Sequence, residues 1–263
     1  MISQDNIKDV FKGDIIGSNI IFCESTSSTN DMALEIGRNI EHPEGIVVVA
    51  DSQTRGRGRL GRKWISPSGV NLYFSVILQP PFSQQESTIL PLAAAASAVS
   101  AIRDYTGLNA NIKWPNDILI GNKKTGGILV EHKSGHDKTD MLIIGMGINV
   151  NMTLDSLPED IMPIATSLMI ESGSEVDRTK LLGRLLSELE SSYKLLIKGD
   201  KQLLVNKWAD SVSTIGKEIS VTINKQIISG TAKAVTESGG LLIRLPDGSE
   251  ETINAGDVTI LKK

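Results

Sequence analysis

The spacing of apolar residues changes near residue 214, and this change constrains the fold more than any other feature of the sequence. Before it, runs rich in Ile and Val alternate with segments whose leucines recur every three or four residues. After it, apolar and polar residues alternate in short runs that end in turn signals such as "ESGG" and "PDGS". A period of two is typical of strands, and a period of 3.6 is typical of helices. We therefore predict a larger α+β domain over residues 1–213 and a small β domain over 214–263.

The larger domain is predicted to be a mixed β-sheet packed with helices. Strand patterns cover 19–24, 45–51, 70–79, 126–133 and 141–150, and helical patterns cover 28–39, 86–107, 177–198 and 201–210. We expect Ser and Thr side chains to cap the first helix, Pro91 to lie in the first turn of a buried second helix, and Asp177 to cap the third. Strand patterns at 219–223, 227–235, 240–245, 250–255 and 258–261 predict a small antiparallel barrel or sandwich.

Composition and charge exclude several classes of protein. The 263 residues are 40% hydrophobic, and their formal net charge of −4 argues against a protein that coats nucleic acid, so an anion site would be local. The single cysteine, Cys23, excludes an intrachain disulfide and is expected to be a buried strand residue. His42, His132 and His136 lack metal-ligand spacing. The charged start and the lack of a long apolar run predict a cytoplasmic protein without a membrane span.

The stretch "QTRGRGRLGRKW", residues 53–64, concentrates cations and flexible backbone in an otherwise acidic chain. Its glycines let backbone N–H groups approach a ligand, and its arginines offer planar groups suited to phosphate or carboxylate. A solvated basic loop and an RGG-like nucleic-acid segment are the alternatives. Because the stretch lies between two strand patterns, an anion-binding loop is the favoured interpretation. It is not a Walker A loop, since no Gly-Lys-Ser/Thr follows.

A second segment, "KWPNDILIGNKKTGG" at 113–127, combines a turn signal with a lysine pair. Pro115 favours an extended conformation of Trp114, which predicts a turn between strands. Asn116 and Asp117 are then either turn formers alone or groups that point into a cleft, where the carboxylate would hold Mg²⁺ or a nucleotide. A lysine at a strand entrance is usually a surface charge, but a lysine followed by two glycines can reach into a pocket unobstructed.

Two further segments carry small or polar residues at informative positions. Gly145 and Gly147 in "IIGMGINVN" interrupt a strand of bulky residues, which marks the close approach of a ligand or another backbone. A bulge that ends in a turn is the alternative. The segment "STSSTND" at 25–31 indicates first a helix N-cap, and a helix N-terminus also presents free N–H groups to an anionic ligand.

Together, these four segments resemble one family, the biotin protein ligases. The matching pieces are Ser28, Thr29 and Asn30, then "QTRGRGRLGRKW", "KWPNDILIGNKKTGGILVE" at 113–131 and "GMGINVN" at 145–151. The Arg/Gly stretch and Lys-Trp-Pro-Asn-Asp are highly specific when they occur together. The resemblance spans residues 19–261, because the β-rich tail matches the small C-terminal domain of the family.

The resemblance implies a fold and a reaction. The fold would be α+β, with a class II synthetase-like catalytic domain of the biotin/lipoate ligase type and an SH3-like C-terminal barrel. Family members use biotin and ATP with Mg²⁺ to make biotinyl-5′-AMP and pyrophosphate. They then transfer biotin to a lysine of the biotin carboxyl carrier domain of a carboxylase. Because a carboxylate must attack the phosphorus of a polyanion, this chemistry needs many cations, and the Arg/Gly stretch supplies them.

The resemblance also implies roles for individual residues. Lys124 matches the active-site lysine of the family, with Arg59 and Asp117 as further catalytic residues and Asp117 as a metal ligand, while Lys123 would be solvated. Trp64 would face adenine and Asn149 would contact the nucleotide. The other implied ligand-binding residues are Ser28, Thr29, Asn30 and Gln53 for biotin, with Gly56, Arg57, Gly58, Arg62, Asn116, Gly127 and Gly147. The Arg/Gly stretch would close over the adenylate when ligand arrives.

One departure and two alternatives remain. Bifunctional members carry an N-terminal winged helix-turn-helix that represses biotin-synthesis genes, whereas the first motif here begins at residue 28. We therefore expect a monofunctional ligase that binds no specific DNA, and a homodimer is compatible with the resemblance.

A lipoate–protein ligase of the same fold and a non-catalytic biotin-responsive regulator are the alternatives. The sequence "GRGRLGRKW" followed by "KWPND" favours biotin over lipoate, and Lys124 favours catalysis.

Overall fold

The computed structural model describes residues 2–81, 89–133, 141–223, 226–236 and 238–261. The α-helices in these ranges are α1 (Gln4–Val10), α2 (Thr29–Asn39), α3 (Leu90–Thr106), α4 (Leu168–Ser172), α5 (Arg178–Lys198) and α6 (Lys201–Ala209). The strands are β1 (Asn19–Thr26), β2 (Ile46–Gln53), β3 (Leu72–Leu78), β4 (Ala110–Lys113), β5 (Asp117–Ile120), β6 (Lys123–Lys133), β7 (Met141–Ile148), β8 (Glu218–Ile223), β9 (Gln226–Val235), β10 (Leu241–Arg244), β11 (Glu250–Ile253) and β12 (Asp257–Ile260). Each described helix is too short or too polar to cross a bilayer.

The larger part of the chain is built on one mixed seven-stranded sheet in the order β1-β2-β3-β7-β6-β5-β4. Strands β1 and β2 run parallel, and the other neighbouring pairs are antiparallel. One face of the sheet packs on α3 and forms the main hydrophobic core with α5. The opposite face carries α2, under which Ala33, Val48, Ile77 and Ile143 form a smaller apolar cluster. The predicted mixed sheet packed with helices is confirmed.

Local sequence signals explain where the helices begin. Asp177 caps α5 by accepting hydrogen bonds from two backbone N–H groups, as predicted. Pro91 lies in the first turn of α3, whose small alanines are buried against the core, as predicted. Ser28 occupies the N-cap position of α2, as predicted, but its side chain makes no capping hydrogen bond. Ser28 instead lines the cleft described below.

The tail forms a five-stranded antiparallel sheet in the order β11-β10-β9-β8-β12, as the alternating pattern predicts and as an SH3-like domain requires. Its inner side chains, such as Val221 and Ile243, are fully buried and extend the main core. The indole N–H of Trp114, a residue that is 1% exposed, donates to the carbonyl of Gly239 at 3.1 Å. The turn that precedes β5 is therefore tied to the C-terminal sheet.

Some features differ from the predicted pattern or lie beyond it. Helix α1 and the short β4, β5 and α4 were not predicted. The turn predicted at Trp114–Asn116 is confirmed between β4 and β5, and its Trp114–Pro115 bond is cis. Cys23 is only half-buried, because β1 is an edge strand, and this partial burial raises its pKa. Residues 86–88 of the second predicted helix, and His136, lie outside the described residues.

Candidate active site

A cleft opens on the α2 face of the sheet because side-chain bulk disappears along β7. Beneath α2, this face carries the cross-strand pair Ile143 and Ile77. Two residues further along β7, the pair is Gly145 and Ser75, and Gly147 follows after two more. Residues that share a face of a strand are two apart, so these positions form one row. On this face, β7 therefore carries apolar side chains under α2 and no side chains at the two positions beyond it.

The bare part of β7 is covered by two side chains that come too close for any residue but glycine. A Cβ atom on Gly145 would lie 2.1 Å from Oδ1 of Asn30. A Cβ atom on Gly147 would lie 2.5 Å from Nε1 of Trp64. These glycines do mark a close approach, but the approaching groups are side chains that line the cleft, whereas the prediction named a ligand or another backbone.

The Arg/Gly stretch folds over the cleft as a short hairpin. The N–H of Trp64 donates to the carbonyl of Gly56 at 2.9 Å, and the N–H of Gly58 donates to the carbonyl of Arg62 at 2.8 Å. At the tip, Leu60 has a φ of 55° and is 73% exposed. This left-handed conformation costs a residue with a Cβ about 1–2 kcal/mol. The contacts around the hairpin therefore hold its tip in a strained geometry.

Gly56 does not line the cleft, which corrects the placement implied by the resemblance. It is buried at the base of the hairpin, where a Cβ atom would lie 2.4 Å from the carbonyl oxygen of Trp64 and 2.6 Å from Oγ of Ser66. Glycine is needed there so that the two arms of the hairpin can close. Its contribution is to the shape of the loop.

Two arginines of the hairpin are held by groups from distant parts of the chain. Nη1 of Arg59 donates to Oδ1 of Asn116 at 3.1 Å and to the carbonyl of Gly256 at 3.5 Å. Burial lowers the pKa of the Arg59 guanidinium, which stays charged because an arginine starts so far above neutral pH. Arg62 forms an ion pair with Asp257 of β12. The C-terminal sheet therefore contacts the loop that covers the cleft.

Lys124 extends from β6 into the cleft, where a carboxylate and an aromatic ring hold its ammonium group. Its Nζ lies 2.5 Å from Oδ1 of Asp117 and 5.4 Å from the ring centroid of Trp64. Nζ of Lys113 lies 3.8 Å from Oδ2 of the same aspartate and also lines the cleft. Lys123 does not line it, as expected for adjacent residues of a strand. The sequence analysis did not predict that Lys113 lines the cleft, although Lys113 is the first residue of the segment at 113–127.

The start of α2 brings small polar groups to the other end of the cleft. Ser28, Thr29 and Asn30 are each less than 5% exposed, at 3%, 4% and 4%. The N–H and the hydroxyl of Thr29 lie 2.9 and 3.2 Å from Oε1 of Gln53, whose Nε2 donates to Ser66 at 3.0 Å. A few fixed polar groups in an otherwise enclosed pocket are typical of small-molecule sites.

The cleft encloses about 530 Å³ and brings together every predicted site residue except Gly56. These are Ser28, Thr29, Asn30, Gln53, Arg57, Gly58, Arg59, Arg62, Trp64, Asn116, Asp117, Lys124, Gly127, Gly147 and Asn149. Residues that no motif indicated also line it, namely Met152, Leu157, Ile161, Ile164 and Ala165 on an apolar wall and Asp257, Val258 and Thr259 from β12. Side chains that meet only after distant segments pack together leave no local signal in the sequence.

Asp117 is the residue to which the resemblance gives a metal. Among the described residues, no cluster of three or more acidic, His or Cys side chains could hold a metal ion. Mg²⁺ is usually held by one or two carboxylates together with substrate phosphates. The carboxylate of Asp117 is already paired with Lys124 and Lys113, so it would hold a magnesium ion only as one ligand beside the phosphates of ATP.

The fold and the cleft together define a class of enzymes, the ligases that activate a carboxylic acid and transfer it to a protein lysine. The model of the Biotin/lipoate A/B protein ligase family matches residues 22–149, and that of the Biotin protein ligase C terminal domain matches residues 214–261. The narrower assignment comes from individual relatives and structures.

The bifunctional ligase/repressor BirA of Bacillus spizizenii is 35% identical over 254 residues, which cover 97% of this chain and 78% of the relative. The biotin–[acetyl-CoA-carboxylase] ligase of Mycobacterium tuberculosis is 30% identical over 90% of this chain and 87% of its own length. The solved structure of the biotin protein ligase from Aquifex aeolicus in complex with biotin and ATP is 31% identical, with a TM-score of 0.80 over 94% of this chain and 100% of that chain. This chain belongs to the biotin protein ligase family.

Proposed function

We propose that the cleft under the Arg/Gly hairpin is where this biotin protein ligase makes biotinyl-5′-AMP from biotin and ATP and then transfers biotin to a carrier lysine. One observation carries the assignment of the reaction to this cleft. Cationic groups of Lys124, Arg59 and Arg62 line one cleft whose other end is lined by Ser28, Thr29 and Asn30. An anionic nucleotide and a small polar ring can therefore bind side by side.

In the first half-reaction, a carboxylate oxygen of biotin attacks the α-phosphorus of ATP, and pyrophosphate leaves. Both reactants are anions, so fixed cations favour their approach and stabilise the charge that develops. We assign Lys124 to the biotin carboxylate and the α-phosphate, and Arg62 to the departing phosphates. Both cations are held by carboxylates, of Asp117 and Asp257 respectively, and are thus in position before the substrates bind.

The indole of Trp64 supports an adenine position next to β7. Its ring lies over Gly147 and beside Lys124, and its Nε1 is buried without a hydrogen-bond partner among the described residues. A buried donor without a partner is unfavourable, so an acceptor on a ligand would stabilise it. Stacking of a base on the indole face adds a large apolar contact.

In the second half-reaction, the neutral amine of the carrier lysine attacks the acyl carbon of biotinyl-AMP. The new amide bond forms as AMP leaves, and the amine loses its proton. The mixed anhydride must be kept from water until the carrier arrives. We assign this cover to the hairpin at 53–64, whose tip is held by Asn116 and Gly256 through Arg59.

The reaction is tested by incubating the protein with Mg-ATP and either biotin or lipoate, then measuring acyl-AMP and pyrophosphate. Biotinyl-AMP is expected, followed by one biotin per carrier domain when that domain is added. Lipoyl-AMP instead would identify a lipoate ligase, and biotin binding without pyrophosphate release would identify a regulator. Lys124→Met serves as the low-activity control.

We further propose that the macromolecular partner is the biotin carboxyl carrier domain of a carboxylase, met in the cytoplasm where ATP is available. We also propose that these 263 residues bind no specific operator DNA, because an acidic chain lacks the broad basic surface that such binding requires. Sequence-dependent binding at physiological salt in a gel-shift assay would contradict the last proposal.

A further inference from the structure

A chain of hydrogen bonds runs behind the polar end of the cleft, from the Glu131 carboxylate to the Thr29 hydroxyl. Oε2 of Glu131 lies 2.8 Å from Nδ2 of Asn30, and Oδ1 of Asn30 lies 2.6 Å from Oγ of Ser75. Oγ of Ser75 lies 2.8 Å from Oγ1 of Thr29. Neither Glu131 nor Ser75 lines the cleft, whereas Asn30 and Thr29 do.

The carboxylate fixes which way the Asn30 amide faces. A carboxylate accepts hydrogen bonds, so Asn30 must turn its NH₂ group towards Glu131. The carbonyl of Leu129, at 3.4 Å from the same nitrogen, supports this orientation. Oδ1 of Asn30 then faces Ser75, whose hydroxyl must donate. Because Asn30 is 4% exposed, water cannot replace these partners.

The direction of the next bond follows from the single proton of a hydroxyl. Ser75 is fully buried and donates that proton to Asn30, so in its contact with Thr29 it accepts. The other neighbour of the Thr29 hydroxyl is Oε1 of Gln53, at 3.2 Å, which is also an acceptor. Ser75 Oγ, at 2.8 Å, is the closer acceptor and takes the Thr29 proton in preference to Oε1 of Gln53, which already accepts from the Thr29 N–H at 2.9 Å. The lone pairs of Thr29 are left for a ligand.

We propose that Glu131 is a positioning residue that acts through Asn30 and Ser75 to make the Thr29 hydroxyl a hydrogen-bond acceptor, and that this selects a ureido N–H of biotin. A ligand with an oxygen at that position would compete with Ser75 and Gln53 for the one proton of Thr29. This inference rests on the proposed function, because biotin carries its N–H donors in the ureido ring.

Glu131 has a second partner that the experiment must separate. Its carboxylate also pairs with Arg57 of the hairpin at 3.0 Å, and Arg57 pairs with Asp31 at 2.6 Å. Glu131→Gln therefore weakens both the Asn30 orientation and the hairpin contact. Asp31→Asn removes a carboxylate from Arg57 without touching Asn30, which makes it the matched control.

The test measures dissociation constants of the full chain by calorimetry for ATP, for biotin and for two cyclic carbamate analogues. Each analogue replaces one ureido N–H with a ring oxygen. In the wild type, at least one analogue should bind much more weakly than biotin. In Glu131→Gln, biotin should bind about five- to tenfold more weakly, the effect of one hydrogen bond. The difference between the affinities for biotin and for that analogue, here called the gap, should narrow. The affinity for ATP should be unchanged in both variants, and in Asp31→Asn the gap should be unchanged as well.

Ser75→Ala provides a second route, because it breaks the chain while leaving both Arg57 ion pairs in place. It should narrow the same gap, and it decides the question if Glu131→Gln does not fold. An unchanged gap in the folded variants, or an equal loss for biotin, analogue and ATP, would overturn the inference. A wild type that makes biotinyl-AMP but does not discriminate against either carbamate would overturn this inference and leave the proposed function standing. A wild type that binds no biotin would overturn the proposed function as well.

Discussion

Lys123 and Lys124 are adjacent and chemically identical, yet only Lys124 lines the cleft, 2.5 Å from Asp117. We expect Lys124→Met to slow biotinyl-AMP formation by about 10²-fold or more, the typical effect of removing one preorganised group that stabilises developing charge. The measurement is single-turnover pyrophosphate release with saturating biotin and Mg-ATP.

Lys123→Met is the matched control for that experiment and should retain wild-type rates. Equal losses in the two variants would show that the wrong lysine has been assigned to the reacting carboxylate. A large loss in Lys123→Met alone would have the same meaning.

The residues that touch the cleft could largely be predicted from the sequence, whereas those behind it could not. Lys124 and Arg59 stand in short motifs whose chemistry is specific. Glu131 is the last residue of the segment at 113–131 but was given no role, and Ser75 lies outside the motifs; both reach Asn30 because β3, β7 and β6 are neighbours in the sheet. Strand order is a long-range property, so no local pattern could indicate this hydrogen-bond chain.

At the scale of elements, we expect the hairpin at 53–64 to determine how long biotinyl-AMP stays bound. Arg59 connects the hairpin to Asn116 at 3.1 Å, and a bond from a charged donor contributes roughly 1.5–3 kcal/mol. We expect Arg59→Gly to release biotinyl-AMP about 10- to 100-fold faster, because each 1.4 kcal/mol corresponds to tenfold. Escaped intermediate should biotinylate lysines of serum albumin, which a blot for biotin detects.

Arg55→Ala is the control for the hairpin, because Arg55 is an exposed arginine of the same stretch outside the cleft. It should label albumin no more than the wild type does. If Arg59→Gly still makes adenylate and yet leaves albumin at the wild-type level, Arg59 does not retain the intermediate.

Most of the long elements were predicted, but some short ones were not. Helix α5 and strand β7 follow clear periods and were found at nearly their full extent. Strands β4 and β5 have four residues each and enclose the turn that carries Asn116. The pairing of β5 with the predicted β6 brings Asp117 opposite Gly127, so an unpredicted element positions a predicted site residue.

At the scale of the whole molecule, the C-terminal sheet contributes charge to a cleft that belongs mainly to the larger domain. Asp257 pairs with Arg62 and lines the cleft. If Arg62 binds the ATP phosphates, as proposed, Asp257 must compete with them for this arginine and places a like charge near them. We expect Asp257→Asn to bind ATP a few-fold more tightly at low salt, with the gain reduced at high salt by screening. Calorimetric titration at two ionic strengths provides the measurement.

Asp247→Asn removes the same charge from an exposed turn of the same sheet and should leave ATP affinity unchanged. Weaker ATP binding in Asp257→Asn would mean that the carboxylate holds the hairpin in the form that binds nucleotide. The contact between β12 and the hairpin could not be predicted, because nothing in the tail's alternating pattern indicates which face meets the larger domain.

The two glycines of β7 restrict how this protein can be re-engineered. Every amino-acid replacement at Gly145 or Gly147 adds atoms to a strand that Asn30 and Trp64 already touch. No replacement there can enlarge the cleft for a bulkier biotin analogue. A redesign for such labels must remove volume from other walls, such as Leu129, and leave β7 as it is. Mutational drift at these two positions can only narrow the site.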